Sequence, residues 1–144
     1  MNKSFFLLIL FFCIVSCTGS RNSNTQVIHH LSLFNAKWNL VEINQIPVNI
    51  SDAAKHPHIQ FSEKEMKATG NNGCNSFFTK INTIEERLSF GPVSMTRMAC
   101  REWMANEMAF LSMLQASHQY TIDGYTLLIM DEKGQVVGKF IAAN

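Results

Sequence analysis

The chain has 144 residues, with 12 Lys and Arg residues against 11 Asp and Glu residues and a formal net charge of +1. This length suits a single domain, whose apolar core is large enough to fold without a structural metal. The near-neutral charge and the lack of a basic stripe exclude nucleic acid as an expected partner. No polybasic segment is present to hold the chain on a membrane electrostatically.

The first residues have the organisation of a bacterial lipoprotein signal. Lys3 supplies a positive charge, and Phe5–Val15 is an almost unbroken apolar run. That run is shorter than the roughly 20 residues of a membrane-spanning helix and fits the core of a signal peptide. The sequence Ile-Val-Ser-Cys ending at Cys17 resembles a lipobox. In a lipobox the cysteine thiol takes a diacylglyceryl group, and the small residue before it lets the signal peptidase cut the chain. We therefore expect a signal peptide over residues 1–16 and a palmitate-containing lipid anchor on Cys17.

Two other interpretations of this segment remain, namely an ordinary signal peptide with an incidental cysteine and a short membrane anchor. Residues 17–33 are interpreted as a flexible tether, because Thr18–Gln26 has no apolar residue to bury. Thr18 follows the cysteine, which by the rule for enteric bacteria favours the outer membrane, with the domain facing the periplasm. The folded domain is expected over residues 34–144.

Most of that domain alternates apolar and polar residues, as strands do. The alternation predicts strands near residues 37–43, 59–62, 66–69, 88–90, 93–96, 120–122, 125–130 and 135–141. Asp123-Gly124 is a strong hairpin signal, and Asp131–Gly134 predicts a further turn.

One segment has helical character instead. Arg101–Ala116 contains no Gly or Pro and is rich in good helix formers, with Met104, Met108 and Leu111 at the spacing of one helix face. Strands, one helix and further strands together predict an α+β fold that is mainly antiparallel β. We expect a small open β-barrel-like sheet with one α-helix at about residues 101–116.

The helix and the residues before it are rich in methionine. A set of thioethers could bind copper, but methionine also fills irregular cores. We expect core packing for the five methionines at 95, 98, 104, 108 and 113.

The four cysteines divide by position. Cys13 lies within the expected signal peptide and Cys17 carries the lipid, which leaves Cys74 and Cys100 in a compartment that permits oxidation. These two could form a disulfide, a metal pair or a redox couple. The redox interpretation lacks a Cys-x-x-Cys motif, and zinc would need two more ligands, for which His56-Pro57-His58 is the nearby candidate. We expect a structural disulfide and no metal.

Catalytic patterns are absent from the sequence. No Gly-x-Ser-x-Gly elbow occurs, and the Gly70–Gly73 loop lacks the Lys-Ser/Thr of a phosphate-binding loop, so we interpret it as a tight turn. The side chains of Glu85 and Glu86 would point to opposite faces of a strand, so this pair is expected in a hairpin turn instead. The chain is therefore not expected to be an enzyme or to need a cofactor.

Two segments go beyond periodicity. Gly70–Phe78 reads Gly-Asn-Asn-Gly-Cys-Asn-Ser-Phe-Phe, and Met95–Cys100 reads Met-Thr-Arg-Met-Ala-Cys. Together with Trp38-Asn39-Leu40 and Leu127–Gly134, they resemble the META domain of HslJ-type heat-shock lipoproteins, from about Trp38 to Phe140. One departure is Asn44-Gln45, where members of the family often have Asn-Gly.

The resemblance implies a small barrel-like domain with one helix, located in the cell envelope and associated with stress, motility or secretion. It implies no established enzymatic activity. The expected function is that of a non-enzymatic envelope lipoprotein that serves as a stress-related accessory or binding protein, with an envelope protein as its candidate partner. The alternative is a barrel that takes an apolar ligand or a peptide helix, in the manner of a carrier or a secretin pilot.

Overall fold

The computed structural model describes residues 31–50 and 55–143. The expected signal peptide, the lipid site at Cys17 and nearly all of the expected tether lie outside these residues. No helix within the described ranges is both long enough and apolar enough to cross a membrane.

The described chain forms ten strands and one α-helix. The strands are β1 Lys37–Ile43, β2 Ile46–Pro47, β3 His58–Ser62, β4 Lys67–Asn71, β5 Ser76–Ile84, β6 Arg87–Phe90, β7 Ser94–Met95, β8 Gln119–Asp123, β9 Thr126–Met130 and β10 Val136–Ala142. Helix α1 spans Met104–Ala116 and is preceded by a 3-10 turn at Arg101–Trp103.

Eight of these strands form an antiparallel barrel in the order β1-β3-β4-β5-β6-β8-β9-β10. The barrel is closed, because β10 returns to pair with β1, with Trp38 opposite Ala142 and Leu40 opposite Phe140. The short strands β2 and β7 add to β1 and β5 outside this circle. The predicted α+β class, with a barrel-like antiparallel sheet and one helix, is confirmed, while the predicted open edge is replaced by this closure.

One joint of the barrel is narrow. Strands β6 and β8 share a single register pair, Arg87 opposite Gln119. Two backbone hydrogen bonds flank it, from the Leu88 amide to the His118 carbonyl at 3.0 Å and from the Tyr120 amide to the Glu86 carbonyl at 2.8 Å. In the chain, β7, the 3-10 turn and α1 lie between these two strands.

Alternating side chains of the strands fill the inside of the barrel, as expected for a circle of eight strands. They form one apolar cluster in which Trp38, Leu40, Ile59 and Phe140 have no exposed surface. Leu33 also belongs to this core, and its carbonyl accepts a 2.9 Å hydrogen bond from the Trp38 indole. The end of the expected tether is thus packed against the domain.

Helix α1 buries one face against the barrel through Phe110, Met113 and Leu114. The Phe110 ring meets the Phe77 ring edge-on, with centroids 5.2 Å apart. Met113 lies so close to Gly138 of β10 that a β-carbon there would overlap its sulfur. The helix therefore contributes to the core of the barrel.

The buried face differs from the predicted one. Met104 and Met108 are exposed, and so is Met98 before the helix, whereas Met113 is buried and Met95 is half-buried. The prediction that all five methionines pack in the core is wrong for Met98, Met104 and Met108. The buried face is instead set by Phe110, which brings the largest apolar side chain of the helix to the barrel.

Candidate functional site

The two motifs that carry the family resemblance meet in space. Cys74, in the connection between β4 and β5, forms a disulfide with Cys100, at the start of the 3-10 turn, with their α-carbons 6.0 Å apart. The disulfide joins residues 26 positions apart in the sequence. Both sulfurs are therefore committed to this bond, as the sequence predicts, and neither is a thiolate that could bind zinc. We call residues 71–76, 96–103 and 107 together the disulfide clasp.

Two asparagines shape the first half of the clasp. The Asn71 side-chain oxygen accepts the Gly73 amide at 2.7 Å, and the Asn72 oxygen accepts the amides of Cys74 at 3.0 Å and Asn75 at 2.7 Å. Such bonds from Asn to the following backbone stabilise tight turns. Gly73 has a φ of +103°, which glycine adopts without strain. A tight turn is present, but it lies at residues 72–75 rather than at the predicted Gly70–Gly73, because Gly70 and Asn71 belong to β4. Gly73 is the residue that permits it.

Asn75 joins the two halves of the clasp. Its side-chain oxygen accepts the Thr96 hydroxyl at 2.8 Å and the Met98 amide at 2.7 Å. Its side-chain nitrogen donates to the Met98 carbonyl and to the Glu107 carboxylate on α1, each at 3.3 Å. Because Asn75 is fully buried, both its oxygen and its nitrogen need these partners. A single side chain thus connects β5, the segment before the helix and the helix itself.

Trp103 covers the turn from the helix side. Its indole nitrogen donates to the Asn72 carbonyl, and its ring lies against Gly73, where a β-carbon would overlap the ring. The Asn72 side-chain nitrogen is the one buried polar side-chain atom in the described part of the chain that has no hydrogen-bond partner. The glycine of the Gly-Cys-Asn motif is therefore needed for close packing as well as for its backbone angle.

The polar groups of the clasp are used for structure. Its asparagines and Thr96 bond to backbone, to one another or to Glu107, so none is held as a nucleophile next to a general base. The described residues contain no group of three or more His, Cys, Asp or Glu side chains placed to hold a metal. The motif residues form the turn, the disulfide and the buried amide of the clasp.

The two histidines considered as zinc ligands are engaged elsewhere. His56 Nε2 is 2.9 Å from the Leu40 carbonyl, and His58 Nδ1 is 2.9 Å from the His56 carbonyl. Burial lowers the pKa of His58 below its ordinary value of 6.5, because desolvation disfavours the charged ring. Their backbone bonds give them a structural role at the start of β3. His29 and His30 lie outside the described residues.

Other polar groups line surface cavities away from the clasp. A cavity of about 560 Å³ at the narrow joint between β6 and β8 is lined by Glu85, Glu86, Arg87, His118 and Gln119. The predicted hairpin turn is confirmed here, since Glu85 and Glu86 connect β5 to β6. The two carboxylates and the two basic side chains lie on exposed or half-exposed residues, so this cavity is a solvated polar cleft and not an apolar ligand chamber.

Three methionines on or beside the clasp are exposed. Met98, Met104 and Met108 are 63%, 59% and 68% exposed. We call these three residues the methionine ridge. The sequence analysis assigned them to the core, and no local sequence signal distinguishes them from the buried Met113, because the helix carries apolar residues around much of its circumference.

The fold and the clasp together define a class of small closed β-barrels in which a disulfide fastens a single helix to a strand connection. Residues 31–144 match the family model of the META domain. This match covers most of the chain, which therefore belongs to the META domain family. Among curated proteins, none matches the chain.

Solved structures share this fold. The chain is similar to a protein from Burkholderia xenovorans determined by NMR, with a TM-score of 0.61, 20% identity, and coverage of 78% of this chain and 84% of that one. It is also similar to a DUF4847 family protein from Bacteroides vulgatus, with a TM-score of 0.54, 15% identity, and coverage of 74% and 91%. At these identities the likeness concerns the fold alone.

Proposed function

We propose that this META-domain protein is a lipid-anchored, non-enzymatic protein of the cell envelope that acts by binding at the methionine ridge. The observation that carries the proposal is the contrast between the polar side chains of the clasp and the methionines beside them. Its polar side chains are bonded internally, whereas the neighbouring methionines are turned to solvent. A surface that exposes several large apolar side chains together is typical of a binding site.

A lipid anchor would strengthen binding at the methionine ridge. Lipid on Cys17 would confine the domain to a membrane surface, and this raises its effective concentration towards other envelope components. Modest contacts at the ridge then suffice for association. The stress-related accessory role expected from the family resemblance is consistent with such a protein, as is an outer-membrane location facing the periplasm.

The carrier alternative places the ligand inside the barrel or beside the helix. The inward side chains form one buried apolar cluster, to which Phe110 and Leu114 of α1 belong. The interior thus serves as the core of the fold, and this favours binding on the outer surface over carriage within the barrel.

Two measurements test the proposal in intact cells. In fractionation, the wild-type chain should partition with membranes and Cys17→Ser should not. A photo-reactive residue at the exposed position 105, next to Met104, should crosslink to an envelope component, and the yield should fall with Cys17→Ser. The same probe at Lys133, in the exposed turn between β9 and β10, is the matched control and should capture much less.

Two results would overturn it. Membrane partitioning of Cys17→Ser after mild washing contradicts the lipid anchor. Specific turnover of a substrate by the purified protein, abolished by one polar substitution in a cleft, would make this chain an enzyme.

A further inference from the structure

The methionine ridge carries thioether groups, which can act as metal ligands as well as apolar contacts. Methionine is among the residue types most often fully buried, because leaving it in water forgoes the free energy of burying its apolar surface. Three of the protein's eight methionines are nevertheless exposed within the eleven residues from 98 to 108. These side chains do not serve the core, so their thioether groups are free for another role.

Helix geometry brings two of the thioethers together. Met104 and Met108 are four residues apart on α1, and residues at this spacing have β-carbons about 5–6 Å apart on one face. Both are exposed. Unbranched methionine arms are long and flexible enough for two sulfurs at this separation to reach one ion between them.

The clasp places the backbone of Met98 near the helix. The Asn75 side-chain nitrogen is 3.3 Å from the Met98 carbonyl and 3.3 Å from the carboxylate of Glu107. Glu107 lies in the same turns of α1 as Met104 and Met108. The backbone of Met98 is therefore held beside those turns by a buried amide, and the Cys74–Cys100 disulfide fastens the same segment two residues later.

We propose that the methionine ridge binds a soft monovalent metal ion, Cu(I), through the thioether sulfurs of Met98, Met104 and Met108. Thioethers are soft, neutral ligands that select Cu(I), whereas zinc, calcium and magnesium prefer imidazole, thiolate or oxygen ligands. No electron transfer is involved, since the ion binds and leaves as Cu(I). This inference rests on the proposed binding role of the ridge and names the class of its ligand.

The disulfide makes this site chemically distinct. With Cys74 and Cys100 oxidised, the clasp offers no thiolate to compete for the ion. Metal bound to all three sulfurs would connect the segment before α1 to the helix on the solvent side of Asn75. An ion that binds only the folded protein also stabilises it by mass action.

The experiment uses Ag(I), a redox-inert probe for Cu(I) that requires no reductant and so leaves the disulfide intact. The mature protein is treated with N-ethylmaleimide to block any free thiol and is titrated with silver nitrate in chloride-free buffer. We expect one Ag(I) per chain, selective shifts of the Met98, Met104 and Met108 methyl resonances, and a rise in Tm.

Leucine variants separate coordination from apolar contact, because leucine keeps the apolar volume and removes the sulfur. Met98→Leu, Met104→Leu and Met108→Leu should each weaken Ag(I) binding by at least the roughly tenfold loss that substitutions around metal sites cause. Met66→Leu is the matched control, since Met66 is exposed in the turn between β3 and β4, and it should bind Ag(I) as the wild type does.

Unsaturable Ag(I) binding, or equal binding by the triple leucine variant, overturns the metal site. If the triple leucine variant fails to bind Ag(I) and yet retains the crosslink at position 105, the in-cell contact is apolar and separate from the metal. Release of the wild-type chain from membranes refutes the anchor and leaves the metal site standing. The outcomes therefore separate this inference from the proposed function.

Discussion

The indole ring of Trp103 lies directly against the α-carbon of Gly73, in the space that a β-carbon would occupy. The same ring donates its N–H to the carbonyl of Asn72, the residue before that glycine. The contact fixes the disulfide clasp against the start of the helix.

Gly73→Ala should destabilise the protein by about 2 kcal/mol or more, because it combines an unfavourable backbone angle with overlap of the Trp103 ring. Urea denaturation measures the effect. Gly124→Ala is the matched control, since Gly124 also has positive φ but nothing lies within 4 Å of its added carbon. The control should lose only about 1 kcal/mol, the cost of the left-handed angle. Equal losses in both variants would show that the Trp103 contact is loose.

Asn75→Asp should destabilise by about 2–3 kcal/mol, because it replaces a buried donor with an oxygen that faces the Met98 carbonyl and the Glu107 carboxylate. Adding Glu107→Gln supplies an amide donor to that oxygen and should restore about 1 kcal/mol. Denaturation of the two single variants and the double variant gives the coupling energy. Strict additivity would mean that Asn75 and Glu107 do not interact.

Replacing both Cys74 and Cys100 with serine should lower the free energy of unfolding by about 3 kcal/mol, since the disulfide restricts the unfolded chain over a loop of this size. Denaturation of the oxidised wild type and of the double variant gives the difference. As a check on the bond itself, thiol labelling of the unfolded, unreduced protein should modify neither cysteine. Stoichiometric labelling of both would contradict the disulfide.

Gln45→Gly should stabilise the protein by roughly 0.5–1 kcal/mol, because glycine avoids the strain of a left-handed angle and loses only part of that gain to chain entropy. Asn44 and Gln45 have φ of 49° and 65° between the paired residues Ile43 and Ile46, the pattern of a two-residue turn in which Asn-Gly is favoured. Asn44→Gly is the control and should gain less, since asparagine tolerates this angle. No rise in Tm for Gln45→Gly would show that this turn is unstrained.

Stability should fall as the pH is lowered through and below 6.5, the ordinary pKa of histidine, because His58 has a lowered pKa in the folded state. The unfolded chain then binds a proton that the folded chain resists, so acid favours unfolding. His58→Asn keeps a donor near the position of Nδ1 and does not titrate, so its stability should vary less between pH 7 and pH 5. Parallel curves for wild type and variant, from denaturation at several pH values, would exclude His58 as the cause.

The alternation of apolar and polar residues is sufficient to predict a strand that has one face in the core. Alternation predicts β1, β9 and β10 closely, because buried side chains there mostly alternate with half-buried ones. Strand β5 was not predicted, although it is the longest at nine residues. Its outward positions include the apolar Phe78 and Ile84, and these conceal the alternation with the inward Phe77, Thr79 and Ile81.

Composition, spacing and motif are properties of the chain alone, and they are enough to predict the fold class, a helix near residues 101–116, the family and the cysteine pair. The closure of the barrel is visible only in three dimensions, since β1 and β10 are far apart in the sequence and their pairing has no local signal. The tertiary structure also decided which face of α1 is buried. The helix carries apolar residues around much of its circumference, so hydrophobicity could not choose between Met104 with Met108 and Phe110 with Met113. In the folded protein Phe110 and Met113 pack against the barrel, whereas Met104 and Met108 are exposed to solvent.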